Sequence, residues 1–157
     1  MTAAAVASTT GRPSLTPVRR RVEHVDTDAS GVVHFARYPS LLETAALENL
    51  DRLGVGIDAL ARDGLDLVVT DLSMRYHASA RFLDRLDLEI SVLHVGAASF
   101  RLSGTVLCAR PEREEEPRRL STGVLVFAVV DRTTGAVCAL PEQLRRSLKE
   151  CRHDADI

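Results

Sequence analysis

Residues 38–54 read YPSLLETAALENLDRLG. Within them Leu42, Ala45, Ala46, Asn49, Leu50 and Leu53 fall on one face of a helix, and all but Asn49 are apolar. Pro39 is placed to open this helix, a position where a missing N–H breaks no intrahelical bond. Gly54 follows the last turn, where a left-handed cap is expected. The alanines at 45 and 46 would let the helix sit close to whatever it covers.

Outward from the helix the hydrophobic period changes to two. Upstream, Val18–His24 reads as a strand and Asp26–Gly31 as a polar turn. Downstream, Ile57–Arg62 predicts one short helical turn and Asp66–His77 a long extended segment. Leu86, Leu88, Ile90 and Val92 alternate with Asp87, Glu89 and Ser91, and Ala98–Val106 alternates in the same way. Such segments are strands with one wet face. Gly96-Ala97 between them suits a tight hairpin. Arg110–Arg119, with Glu114, Glu115, Glu116 and two prolines, reads as a solvated loop. Leu120–Val130 is apolar on both faces from Val124 onward, as a central strand would be. Asp131–Gly135 makes a turn, Val137–Leu140 a short extension, and Pro141 starts a terminal helical turn. One long helix against an antiparallel sheet is an α+β arrangement. No internal repeat or domain boundary interrupts it.

The chain has 157 residues, a net charge of −2 and 45% apolar residues, enough for one domain with its own core. Its pI near 6.2 excludes a binder of nucleic acid that works through a basic field. Aromatic residues make up 4% and tryptophan is absent, which argues against base-stacking platforms. No run approaches the ~18 apolar residues of a membrane span. Met1–Thr10 has neither the basic leader nor the apolar stretch of a secretory signal. Cys108, Cys138 and Cys151 form no metal or redox motif, so reduced thiols in a cytoplasmic protein are expected. Lys149 is the only lysine among 20 basic residues, a bias that fits a GC-rich coding sequence. His77 and His94 have no ligand pattern around them, and neither a metal nor a cofactor is expected.

The stretch Asp26-Thr27-Asp28-Ala29-Ser30-Gly31-Val32-Val33 places two acids and a glycine in a loop just before the helix. Loops carry functional groups, but Asp and Gly are also ordinary turn residues, and from the residues alone both readings stand.

His24-x-Asp26-Thr27-Asp28-Ala29-x-Gly31-Val32-Val33, followed by Tyr38 and Leu42-Glu43, resembles the 4-hydroxybenzoyl-CoA thioesterase-like group of the hotdog superfamily. Leu67-Val68-Val69, Met74-Arg75-Tyr76, Ala78-x-Ala80-Arg81, Asp84-x-Leu86 and Ala139-Leu140-Pro141 are similar to later segments of that family. The resemblance spans residues 18–148. It implies a hotdog fold, an antiparallel sheet wrapped around one long helix. It leaves residues 1–17 and 149–157 as tails, the first of them flexible.

The resemblance also implies hydrolysis of acyl thioesters, usually of coenzyme A. The family's catalytic acid falls on Asp28, as general base to water or as nucleophile. Its oxyanion donor falls on the backbone N–H of Phe35, where the helix dipole helps. Glu43 lies where the family also has an acid, able to orient the loop or line the site. Gly31, Val33, His34, Tyr38 and Arg81 are the candidate substrate contacts, with Gly31 allowing close approach and Tyr38 packing where the helix begins. Asp26 supports the loop. Relatives often carry Tyr-His where this chain has His34-Phe35, so its imidazole is shifted by one position. Arg75, Arg81, Arg85 and Arg110 are candidates for phosphate contacts. The family builds its sites at the seam between subunits, so a homodimer or homotetramer is implied. The acyl group can arrive on coenzyme A or on an acyl carrier protein, as in polyketide or fatty-acid pathways. The other readings are a non-catalytic acyl-CoA-binding hotdog module, a hotdog dehydratase, whose Asp/His motif is not found, and an inert domain.

Overall fold

The computed structural model describes residues 13–110, 112 and 115–153. Strand β1 (Val18–Arg21) leads through a 3-10 turn (His24–Asp26) to helix α1 (Arg37–Arg52) and the short α2 (Ile57–Arg62). Strands β2 (Leu65–Tyr76), β3 (Arg85–Val95), β4 (Ser99–Ala109) and β5 (Arg118–Asp131) follow, then β6 (Val137–Cys138) and α3 (Glu142–His153). The strands form one antiparallel sheet in the order β1-β3-β4-β5-β2, with β6 paired to the end of β5. Each two-residue alternation turns one face inward: Leu88, Val106 and Leu125 are buried on the helix side, while Glu89, Thr105 and Ser91 look outward. This is the hotdog fold, with α1 lying across β3, β4 and β5.

The apolar stripe of α1 buries Leu41, Leu42, Ala45, Ala46 and Leu50. Leu42 reaches deepest, and the sheet makes room for it. Gly104 and Gly123 pair directly across β4 and β5, and a Cβ on Gly104 would stand 2.8 Å from a Leu42 methyl. The helix ends in a Schellman motif. Gly54, at φ +76°, donates to Asp51 O, and Val55 donates to Leu50 O. Asn49, the polar residue of the stripe, is buried because it serves the segment before β1. Its Oδ1 accepts from Thr16 N–H at 2.8 Å and its Nδ2 donates to Thr16 O at 3.1 Å.

Several expectations need correction. The helix starts at Arg37, so Pro39 is its third residue; first-turn N–H groups have no intrahelical acceptor, and proline is harmless there too. The first strand stops at Arg21, because Val22 turns to bond Asp84 O before the 3-10 turn begins. Arg118 and Arg119 belong to β5, whereas Pro111, Arg113 and Glu114 of the expected loop lie outside the described residues. The terminal turn is a twelve-residue helix that buries Leu144, Leu148 and Cys151 against the core. Residues 149–153 are therefore not a tail. Residues 13–17 are likewise held: Arg52 donates to Ser14 O and Cys151 Sγ to Pro13 O. The remainder of each expected tail lies outside the described residues.

Replacing Gly104 with alanine forces Leu42 off its seat. Overpacking of this kind costs about 1–3 kcal/mol, so Gly104→Ala is expected to lower the urea midpoint accordingly. An unchanged midpoint would contradict the seating of Leu42.

Candidate active site

Asp28 sits at the first position of a tight hairpin. Its N–H donates to Val32 O at 2.8 Å, and Gly31 N–H donates back to Asp28 O at 3.0 Å. The loop of Ala29, Ser30 and Gly31 ends in a left-handed residue, and glycine at φ +78° meets that need without strain. Asp28 Oδ1 accepts Ser30 N–H at 2.8 Å. Its Oδ2 meets no donor among the described residues, and the side chain is exposed. The carboxylate is thus aimed by the turn and still open to water.

Four anchors hold this hairpin to the body. Asp26 is 1% exposed, and Arg37, the first residue of α1, donates to its Oδ1 from both Nε (3.0 Å) and Nη2 (2.8 Å). Asp26 Oδ2 accepts Glu23 N–H, and Asp26 O accepts His34 N–H. Val33 N–H bonds Ala80 O, and Val32 bridges Arg81. Finally, the Tyr76 hydroxyl on β2 donates to Phe35 O at 2.8 Å. Asp26 therefore supports the loop as expected from its position. Arg37 and Tyr76 were not legible as site residues. A buried acid followed by an arginine at a helix start was the only signal for Arg37.

The other expected residues separate into two groups. Phe35 is 65% exposed, and its N–H has no acceptor among the described residues, just ahead of the first turn of α1. His34 stacks on the Phe35 ring at 4.6 Å and accepts Ala36 N–H on Nδ1, just ahead of the helix. Arg81 is exposed beside Val32, with its N–H on Asp84 Oδ2. Glu43 is exposed outside the buried stripe of α1 and makes no hydrogen bond or ion pair with the Asp28 hairpin. Val33 and Tyr38 differ from expectation as substrate contacts, because they are only 3% and 2% exposed. Tyr38 packs edge-on to Tyr76 and accepts Ala80 N–H on its hydroxyl, whose pKa burial pushes up. Burial likewise raises the Cys108 thiol, which leaves it little thiolate at neutral pH. No cluster of three or more His, Cys, Asp or Glu side chains among the described residues could hold a metal ion.

Beside α1 the inner face of β2 stays partly open. Val69, Leu72, Met74 and Tyr76 pair with the buried row of β5, yet Val69, Leu72 and Tyr76 are 38%, 45% and 45% exposed. This apolar strip ends where Tyr76 meets Phe35, edge-on at 6.4 Å. The outer edge of β2 has no strand beside it among the described residues.

The sequence pattern of the thioesterase-like superfamily matches residues 22–148. The chain is similar to the acyl-CoA thioester hydrolase YbgC of Escherichia coli, with 27% identity over 83% of this chain and 92% of that protein. It is similar also to a 1,4-dihydroxy-2-naphthoyl-CoA hydrolase of Synechococcus, with 25% identity over 83% of this chain and 87% of the other. The solved 1,4-dihydroxy-2-naphthoyl-CoA thioesterase of Synechocystis superposes with a TM-score of 0.75, at 19% identity over 85% of this chain and 94% of that one. No helix among the described residues is long and apolar enough to cross a membrane. The match runs from the end of β1 into α3 and includes the Asp28 hairpin: the chain belongs to the thioesterase-like superfamily.

Proposed function

We propose that this chain hydrolyses acyl thioesters of coenzyme A, with Asp28 as the reacting carboxylate. The single observation that carries the reading is the pairing of an open carboxylate, fixed by its own turn, with an unused N–H at the start of a helix. A thioester needs these two groups. Asp28 takes a proton from water as the water oxygen attacks the carbonyl carbon. The Phe35 N–H, backed by the α1 dipole, receives the oxyanion. Collapse then breaks the C–S bond, and the leaving thiolate takes up the proton. The relatives named for acyl-CoA hydrolysis support this substrate class. The apolar strip of Val69, Leu72 and Tyr76 offers a bed for the acyl group, with its carbonyl end toward Phe35.

The twelve-residue edge of β2 supports a second proposal, that the working unit is a homodimer or higher homo-oligomer. An open edge that long, with Val68, Val69 and Leu72 exposed, is a liability for a lone chain and a natural seam for a second copy. Sedimentation at micromolar concentration is expected to give a dimer or tetramer; a monomer would contradict this.

In a free-thiol release assay over a panel of acyl-CoAs, Asp28→Asn is expected to lose about 10²–10⁴-fold in kcat with an unchanged melting temperature. Near-wild-type turnover on the best substrate would sink the assignment. Tyr76→Phe removes the hydroxyl that fixes Phe35 while keeping the ring. It is expected to lower kcat about tenfold with little change in KM, since a small misplacement of an oxyanion donor acts on the transition state. A change confined to KM would mean that Tyr76 serves binding alone.

A further inference from the structure

The inward residues along the open strip of β2 do not sit alike. Val69, Leu72 and Tyr76 face Phe127, Leu125 and Ser121 across the ladder, and all three stay well exposed. Met74, between Leu72 and Tyr76, is half-buried and packs against the core. It faces Gly123, which has no side chain, and its thioether lies in the space one would take. A Cβ on Gly123 would run into the Met74 sulfur and would stand 3.3 Å from a Leu42 methyl.

Gly123 pairs with Gly104, so the two glycines leave one hollow under α1. Leu42 fills its β4 half from the helix, and Met74 fills its β5 half from the strip. The two plugs differ in freedom. Leu42 is fully buried and belongs to α1. Met74 hangs from the last strand of the sheet order, with the exposed Leu72 and Tyr76 on either side of it. An unbranched, flexible thioether is the side chain that fills such an irregular gap and is also able to leave it. Met74 stands two residues from Tyr76, about 7 Å along the strand. Tyr76 in turn holds the Phe35 carbonyl. An acyl chain with its carbonyl at Phe35 therefore passes Met74 a few atoms further on.

We infer that Met74 is the specificity-determining residue of the acyl bed: by filling the hollow over Gly123 it confines the acyl group to the strip and selects a slender, straight chain over one that carries a ring at that depth. The inference rests on the thioesterase reading and deepens it, because it names the shape of acyl group the site takes. With the hollow filled, a ring abreast of Met74 has to expel the thioether or stand away from the strand. Either way apolar contact is lost. With the hollow empty, the ring settles into the β5 half beside Leu42. One methylene of misfit in an apolar pocket is worth about 10–200-fold in discrimination, so a plug the size of a methionine side chain is enough to set the preference.

The probes are octanoyl-CoA and 4-phenylbutanoyl-CoA, similar in reach, the second with its ring at the depth of Met74. The wild type is expected to favour octanoyl-CoA in kcat/KM. Met74→Ala empties the β5 half of the hollow and is expected to move the ratio of the two kcat/KM values toward the phenyl substrate about tenfold or more, chiefly through KM. Should that variant fail to fold, Met74→Val, which suits a strand and also leaves the hollow, serves in its place. Gly123→Ala acts in the opposite sense. Its methyl drives the thioether out onto the strip and is expected to raise the KM for octanoyl-CoA roughly tenfold. In Met74→Ala/Gly123→Ala there is no thioether to expel, so most of that loss is recovered, whereas unrelated effects would add. An unmoved ratio in folded Met74→Ala or Met74→Val would overturn the inference, and so would a Gly123→Ala loss that Met74→Ala does not relieve. Affinities for the two ketone analogues, read by calorimetry, separate it from the hydrolase reading. Affinities that shift as stated, with no thiol release by the wild type, would uphold Met74 and sink that reading alone; affinities that do not shift would overturn the inference.

Discussion

The carboxylate of Asp26 is almost fully enclosed, and both of its oxygens are occupied: Oδ1 by the guanidinium of Arg37, Oδ2 by the Glu23 N–H. Through Arg37 it grips the first residue of α1, and through its own carbonyl it holds His34 N–H. One ion pair therefore joins the end of the β1 segment, the base of the Asp28 hairpin and the start of the long helix. Removing Arg37 would leave the buried Asp26 carboxylate with the Glu23 N–H as its one donor among the described residues, a destabilising arrangement. Asp28 and Phe35 lie on the two sides of this joint, so their mutual placement depends on it.

The fold contributes the rest by where it puts the helix. Paired glycines in β4 and β5 admit Leu42, which brings α1 down onto the sheet and fixes its first turn beside Tyr76 of β2. Because α1 covers β3 to β5, the inner face of β2 is left partly open next to that first turn. An apolar strip thus leads toward a free backbone N–H. The polar outer face of the sheet, with Glu89, Thr105, Thr122 and Arg75 in one cross-strand row, has no such feature.

Much of this was legible in the residues. The stripe from Leu42 to Leu53 and the alternation in β3 and β4 are local patterns, and they marked the helix and the strands without help from tertiary structure. The start of α1 was misplaced by two residues because a proline at the first or third position satisfies the same rule. Helix α3 was read as a single turn because its apolar residues, Leu144, Leu148 and Cys151, are sparse among charged ones. Asn49 looked like a flaw in the stripe until the backbone of Thr16 arrived beside it. The Asp28 motif was legible by resemblance, and its turn chemistry is written in Asp28, Ser30 and Gly31. The partners that hold the turn were not. Arg37 and Tyr76 acquire their roles from contacts with Asp26 and Phe35, 11 and 41 residues away in the chain, and no period or propensity encodes such a meeting.

The most direct measurement is a crystal structure with an acyl-CoA analogue whose thioester is replaced by a ketone. The account predicts the ketone oxygen about 3 Å from the Phe35 nitrogen, the Asp28 carboxylate facing the carbonyl carbon, and the acyl group along Val69 and Leu72. An analogue bound with its carbonyl away from both groups, or with Glu43 as the nearest carboxylate, would contradict it.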